Sequence, residues 1–182
     1  MPFAERYLNA LNSSNLQDDE LHRQTEPLKA AALADLSGGS GSVFGSMLAR
    51  AKVDVLAHKT FESGTQGLTA LIRVWREEVR RRGTERKWVK IGSERDIQTA
   101  HALYMRVSEK SLAHWLDPNC KVCNGTKVVA RQACKGCGGS GVAPIECTSQ
   151  YERERIKDMV SDLEGIYQSH GSRAGAKMRQ AA

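Results

Sequence analysis

The sequence predicts a mainly α-helical protein: a helical domain with a four-cysteine finger, short and β-hairpin-like, inserted before the last helix. Three observations predict this. Beyond residue 42, apolar residues recur at three- and four-residue spacing, the period of a helix buried on one face. Four of the five cysteines form two Cys-x-x-Cys pairs, Cys120 with Cys123 and Cys134 with Cys137, ten residues apart. Asp117-Pro118 ends the helical stretch before those pairs, because the residue before a proline is pushed out of helical geometry.

Residues 1–42 form an N-terminal segment, with apolar clusters at Phe3, Tyr7, Leu8 and Leu11 and again over 28–36 that fit short helices. The segment closes on Ser-Gly-Gly-Ser-Gly-Ser at 37–42, a flexible hinge by composition. A helical body follows over 43–118. Phe44, Met47, Leu48, Ala51 and Val55 predict a helix of about 43–60. Leu68, Leu71, Ile72, Trp75 and Val79 share one face of the next helix, Arg73, Arg76 and Arg80 lie opposite, and Gly83 is placed to stop it after Arg82. Trp88, Val89 and Ile91 read as a short strand or loop. Ser93 followed by Asp96 is an N-cap signal for a helix carrying Ile97, Ala100, Tyr104, Val107 and Trp115 to about Leu116. The finger occupies 119–141. The segment 142–169 carries the last helix, with Thr148 as candidate cap and Ile156, Met159, Val160, Leu163 and Ile166 on one face. Residues 170–182 form a basic tail, expected to be flexible because it has little apolar surface.

With 40% hydrophobic and 26% charged residues, the chain has globular composition. No apolar run approaches the length of a membrane span, so a soluble protein is expected. The net charge of +6 is unevenly placed. Residues 1–42 hold six acids against three bases, whereas 73–90 hold eight bases against three acids. Those bases are Arg73, Arg76, Arg80, Arg81, Arg82, Arg86, Lys87 and Lys90. The finger adds Lys121, Lys127, Arg131 and Lys135 with no acid at all. Clustered cations attract an anionic partner, nucleic acid first, although any one of these side chains also fits a merely solvated helix face.

Each Cys-x-x-Cys makes a tight turn that aims two sulfurs at one point, and two such knuckles complete a tetrahedron. Four thiolates with no open position predict one structural Zn2+ rather than a catalytic ion. The glycines at 125, 136, 138, 139 and 141 let backbone N–H groups approach the sulfurs. Cys147 lies outside the repeat and reads as a buried free thiol. His101 and His114 lack ligand spacing to a second histidine or acid.

The second knuckle, Cys134-Lys-Gly-Cys137-Gly-Gly-Ser-Gly141, fits the C-x-x-C-x-G-x-G repeat of DnaJ-type chaperones. The first, Cys120-Lys-Val-Cys123-Asn-Gly125-Thr-Lys127, fits until its last position, where lysine replaces glycine. The four knuckles and His-Pro-Asp signature of such a chaperone are not present. Over about residues 95–165 the arrangement more closely resembles the late-gene antitermination (Q) proteins of lambdoid phages. There a helical segment leads into C-x-x-C-x-G-T, a short hairpin, C-x-x-C-x-G-x-G and a final helical region. The resemblance implies a non-enzymatic transcription factor in the cytoplasm of a bacterial host cell. Its implied partners are double-stranded DNA near a late promoter and paused bacterial RNA polymerase with its sigma factor; it implies no small-molecule substrate and no membrane. The competing readings are a finger-based protein-interaction or chaperone-like module, and another phage DNA-binding regulator. No Gly-x-Ser-x-Gly, P-loop or His-Glu-x-x-His motif points to an enzyme.

Overall fold

The computed structural model describes residues 42–56 and 65–180, together with Ala32 and Asp35. The helices expected before residue 32, most of the hinge and the end of the helix expected to reach residue 60 lie outside the described residues. Within them the order is α1 (Ser42–Leu56), α2 (Thr65–Glu85), α3 (Glu94–Leu116), β1 (Val128–Val129), β2 (Gln132–Ala133) and α4 (Gln150–Gln180). The protein is mainly helical, as predicted, with the cysteine pairs lying between α3 and α4. No helix among the described residues is long and apolar enough to cross a membrane.

The chain forms two compact units, one from residues 1–71 with 164–182 and the other from 72–163. In the first, Phe44, Leu48, Ala49 and Ala51 of α1 are buried, as are His170 and Ala174 of α4. A Cβ built on Gly45 would lie 2.7 Å from His170 Cβ, so glycine lets this part of α4 approach the α1 backbone. The segment expected to be a flexible tail from residue 170 therefore continues α4 to Gln180. Small residues supply the close approach that its few apolar side chains do not signal.

In the second unit, Trp75 and Val79 of α2, Val107 of α3, and Ile156, Met159 and Leu163 of α4 are fully buried. Trp75 Nε1 donates to Ser111 Oγ at 2.9 Å, so the indole is buried with its polar end satisfied. Ile97, expected on the buried face of α3, is 54% exposed; it sits in the first turn, before the packed stretch begins at Ala100. The Ser93 cap forms as predicted, its Oγ accepting from Asp96 N at 3.3 Å while Asp96 Oδ2 accepts from Ser93 Oγ and Gly92 N. At α4 the cap is Ser149 rather than Thr148: Ser149 Oγ accepts from Glu152 N at 3.1 Å.

The end of α2 differs from its sequence signal. The helix passes through Gly83 to Glu85. Trp88 N donates to Gly83 O at 2.9 Å and Lys87 N to Thr84 O at 3.1 Å, the paired bonds of a Schellman motif. Lys87 holds the left-handed position at φ 51°, where glycine is usual. Gly83 has another task. A Cβ there would sit 2.5 Å from Tyr104 Cε1 and 2.9 Å from Trp88 Cε3, so glycine admits the two packed rings, whose centroids are 5.9 Å apart. Trp88 is buried in this loop, and Tyr151 OH donates to its carbonyl at 2.6 Å.

Candidate metal centre and basic surface

The finger closes where it leaves the helices. Ala143 N donates to Pro118 O at 2.8 Å and Cys120 N to Gly141 O at 3.0 Å, with a bridge between Asn119 and Val142. The two knuckles then mirror each other. Thr126 N and Oγ1 both donate to Cys123 O, as Ser140 N and Oγ do to Cys137 O. Cys134 N donates to Lys127 O at 2.9 Å, matching the bond from Cys120 N to Gly141 O. Lys127 and Gly141 are thus equivalent, and both have positive φ, 69° and 82°. The lysine that breaks the sequence repeat is held in the glycine conformation. Gly141 admits no replacement, because a Cβ there would lie 2.9 Å from Gly125 O.

The predicted ligands converge. The candidate ligand atoms of Cys120, Cys123, Cys134 and Cys137 all lie within 4.8 Å of one another. Cys120 Sγ is 3.9 Å from Cys134 Sγ, and Cys123 Sγ is 3.7 Å from Cys137 Sγ. A tetrahedron with metal–sulfur bonds of about 2.3 Å has edges of roughly 3.8 Å, whereas a disulfide brings sulfurs to about 2.05 Å. Four cysteines are placed to hold a metal ion. Gly141 N donates to Cys137 Sγ at 3.2 Å, the backbone support that metal thiolates receive. Without an ion, burial pushes the Cys134 thiol up to about 11. At Cys137 burial acts the same way, but the Gly141 N–H leads the opposing contributions and brings it to about 6. Cys147 stands outside the cluster, half-buried rather than buried, with its thiol 3.6 Å from Ile145 O. No family model matches the chain, and no curated protein or solved structure matches it.

Val128 pairs with Ala133 and Val129 with Gln132, leaving Ala130 and Arg131 as a two-residue hairpin turn. Both have positive φ, 49° and 64°, the signature of a type I′ turn that Asn-Gly would ordinarily fill. This tip presents Val128, Val129 and Arg131 to solvent.

The structure divides the candidate basic residues into two groups. Arg76 pairs with Glu109, Arg80 with Glu77, Arg81 with Glu78 and Glu85, and Arg86 with Asp162. Arg82, the least exposed, is held between Glu78 at 2.6 Å and Asp162 at 2.5 Å. Lys121 pairs with Asp117. Among the described residues Arg73, Lys87, Lys90, Lys127, Arg131 and Lys135 make no ion pair. Exposed pairs are worth at most about 1 kcal/mol each, so a phosphate competes readily for Arg80 or Arg81 but not for Arg82.

A carboxylate three residues after the Ser149 cap, in a Ser-x-x-Glu pattern that marks a helix start, anchors α4 beside the finger. Glu152 is buried, accepting from Thr148 Oγ1 at 2.6 Å, Arg106 Nε at 3.2 Å and Lys110 Nζ at 3.3 Å. Burial disfavours its charge, but these three donors outweigh burial and hold its carboxyl below the usual range. Its two cationic partners are 42 and 46 residues away, beyond the reach of local pattern.

Proposed function

We propose that the protein is a transcription antitermination factor that binds DNA near a late promoter, loads onto paused bacterial RNA polymerase and suppresses pausing and termination. The observation that carries this reading is the closed four-sulfur cluster, which pins an acid-free hairpin between the helix ending before Asp117-Pro118 and the long α4. The ion is zinc: four thiolates in tetrahedral spacing, with no position left for substrate, suit a structural zinc site. A finger pinned in this way is a rigid body, which a factor that obstructs an RNA exit path requires. Lys127, Arg131 and Lys135 on the finger, with Arg73, Lys87 and Lys90 outside it, are the cations for phosphate contact.

A protein-interaction reading also has an observation in its favour. Val122, Val128, Val129 and Val142 are large apolar side chains exposed on or beside the finger, as a protein-docking surface would present them.

The test is read-through in a purified transcription system with a promoter-proximal pause and a downstream terminator. The wild-type protein, with one zinc per chain by elemental analysis, should raise read-through and be retained on polymerase. Cys134→Ser should lose the metal and the effect together, because metal binding supplies the folding free energy of such a segment. Wild-type protein that holds zinc but leaves read-through unchanged on the paused template would rule the proposal out. Suppression of a model protein's aggregation without polymerase would favour the interaction reading.

A further inference from the structure

Beside the metal cluster, on the side of α4, lies an open groove of about 500 Å3. Only one of the four cysteines, Cys137, lines it, so it is a separate space from the metal site. Val142, Pro144, Ile145 and Val160 make its apolar lining. Arg153 and Lys157, four residues apart on α4, and His114 of α3 supply its polar groups, and among the described residues no carboxylate lines it. Arg153 Nη1 bonds only to the neutral Gln150 Oε1, at 3.2 Å, and Lys157 makes no ion pair among the described residues. Burial holds His114 below its usual value, so the imidazole is neutral near pH 7 and offers a hydrogen bond rather than a charge. A second groove, on the Lys110 and Lys121 side, shares His114, Ala143, Pro144 and Ile145 but contains Asp117 and Glu146. Of these two grooves, only the first has no carboxylate in its lining.

We infer that this groove binds an acidic, apolar peptide segment of a partner protein, with an apolar side chain on Val142, Ile145 and Val160 and a neighbouring carboxylate on Arg153 and Lys157. Charge complementarity sets the acid: a guanidinium and an ammonium on one helix face, with no carboxylate lining the groove among the described residues, suit an anionic group. Two features favour a peptide over nucleic acid or a small molecule. Among the described residues no phenylalanine, tyrosine or tryptophan lines the groove, so it lacks the broad stacking platform that single-stranded nucleic acid uses. Its apolar surface also continues past the rim: Gly136 lines the groove, a Cβ there would lie 2.7 Å from Val122 Cγ2, and Val122 is 63% exposed. That footprint is longer than a small ligand needs. The inference does not rest on the nucleic-acid reading, because neither Arg153 nor Lys157 belongs to the cations assigned to phosphate.

The test titrates the full-length, metal-loaded chain into a fluorescein-labelled peptide of alternating glutamate and leucine, read by anisotropy. Saturable binding is expected, weakened at least about tenfold, a change of about 1.4 kcal/mol, when glutamine replaces glutamate in the peptide. Arg153→Glu with Lys157→Glu should produce the same loss with zinc content and melting temperature unchanged. The milder pair Arg153→Gln and Lys157→Gln keeps the test usable if charge reversal impairs folding. Absence of saturation up to about 1 mM, the weak end of specific affinity, overturns the inference. So does preferential binding of single-stranded oligothymidylate, which would assign the groove to nucleic acid. Zinc loss in the glutamine pair, without a specific fall in peptide affinity, also overturns it: the cations would then be balancing the negative charge of a metal bound by four thiolates.

Discussion

Among the described residues five besides glycine have positive φ, and three of them, Lys87, Lys127 and Arg131, are basic residues on the proposed phosphate-binding surface. The left-handed conformation costs an ordinary residue roughly 1–2 kcal/mol, while glycine loses about 0.4–1 kcal/mol of that advantage through the freer unfolded chain. Lys87→Gly should therefore stabilise the protein by about 0.5–1 kcal/mol, raising the melting temperature by a few degrees in calorimetry. If Lys87 contacts phosphate, the same variant should bind DNA less tightly, with a smaller salt slope. The hairpin tip gives a sharper version. Ala130→Asn with Arg131→Gly installs the residues a type I′ turn favours and should raise the melting temperature of the metal-loaded protein. Read-through should fall if the tip works through Arg131. Stability and activity moving in opposite directions would mark the strain as tolerated for function; parallel gains would leave the tip with no functional role.

At the scale of elements, α2, α3 and α4 are joined by charge as well as by apolar packing. Arg82 and Arg86 of the α2 end reach Asp162 of α4, Arg76 reaches Glu109 of α3, and Arg106 and Lys110 of α3 clasp Glu152 of α4. The acid limb of stability follows from this. Bonding to Arg81, opposed by burial and reinforced by Arg82, lowers the Glu78 carboxyl from 4.5 to about 2. A carboxyl depressed in the folded state contributes stability in full above its unfolded value, and that contribution is lost as pH falls through the folded value. The window for Glu78 is therefore about 4.5 down to about 2, and Glu152 acts in the same direction. Urea unfolding of Glu78→Gln and Glu152→Gln should show a deficit against wild type that is largest above about pH 5 and closes as pH falls. Comparison at each pH removes the metal lost in acid from both proteins, and a deficit constant with pH would contradict the assigned carboxylate role.

At the scale of the whole molecule, the net charge of +6 already subtracts every acid from the bases, so ion pairing changes where the excess lies and not its size. Of the eight bases over 73–90, Arg76, Arg82 and Arg86 reach other helices and Arg80 and Arg81 pair within α2, while among the described residues Arg73, Lys87, Lys90 and the finger's Lys127, Arg131 and Lys135 make no ion pair. Ala143 N donating to Pro118 O closes the finger at its base, and the clasp of Arg106 and Lys110 on Glu152 ties α3 to α4.

Features that depend on neighbours in the chain were determined by the sequence alone. The helical stripes through Trp75, Val107 and Met159, the Ser93 cap, the stop at Asp117-Pro118 and the four ligands follow from periods and spacings of a few residues, because helix pitch and knuckle geometry are local. Tertiary structure decided what depends on residues meeting across the chain. It gave Gly83 to ring packing and the helix end to Lys87, ordered residues 170–180 with small side chains, and separated paired from unpaired arginines. It also gathered His114, Val142, Arg153 and Lys157 around one groove. The physical reason is that burial and ion pairing are set by which side chains converge in space, and partners such as Arg106 and Glu152, 46 residues apart, leave no periodic trace in the sequence.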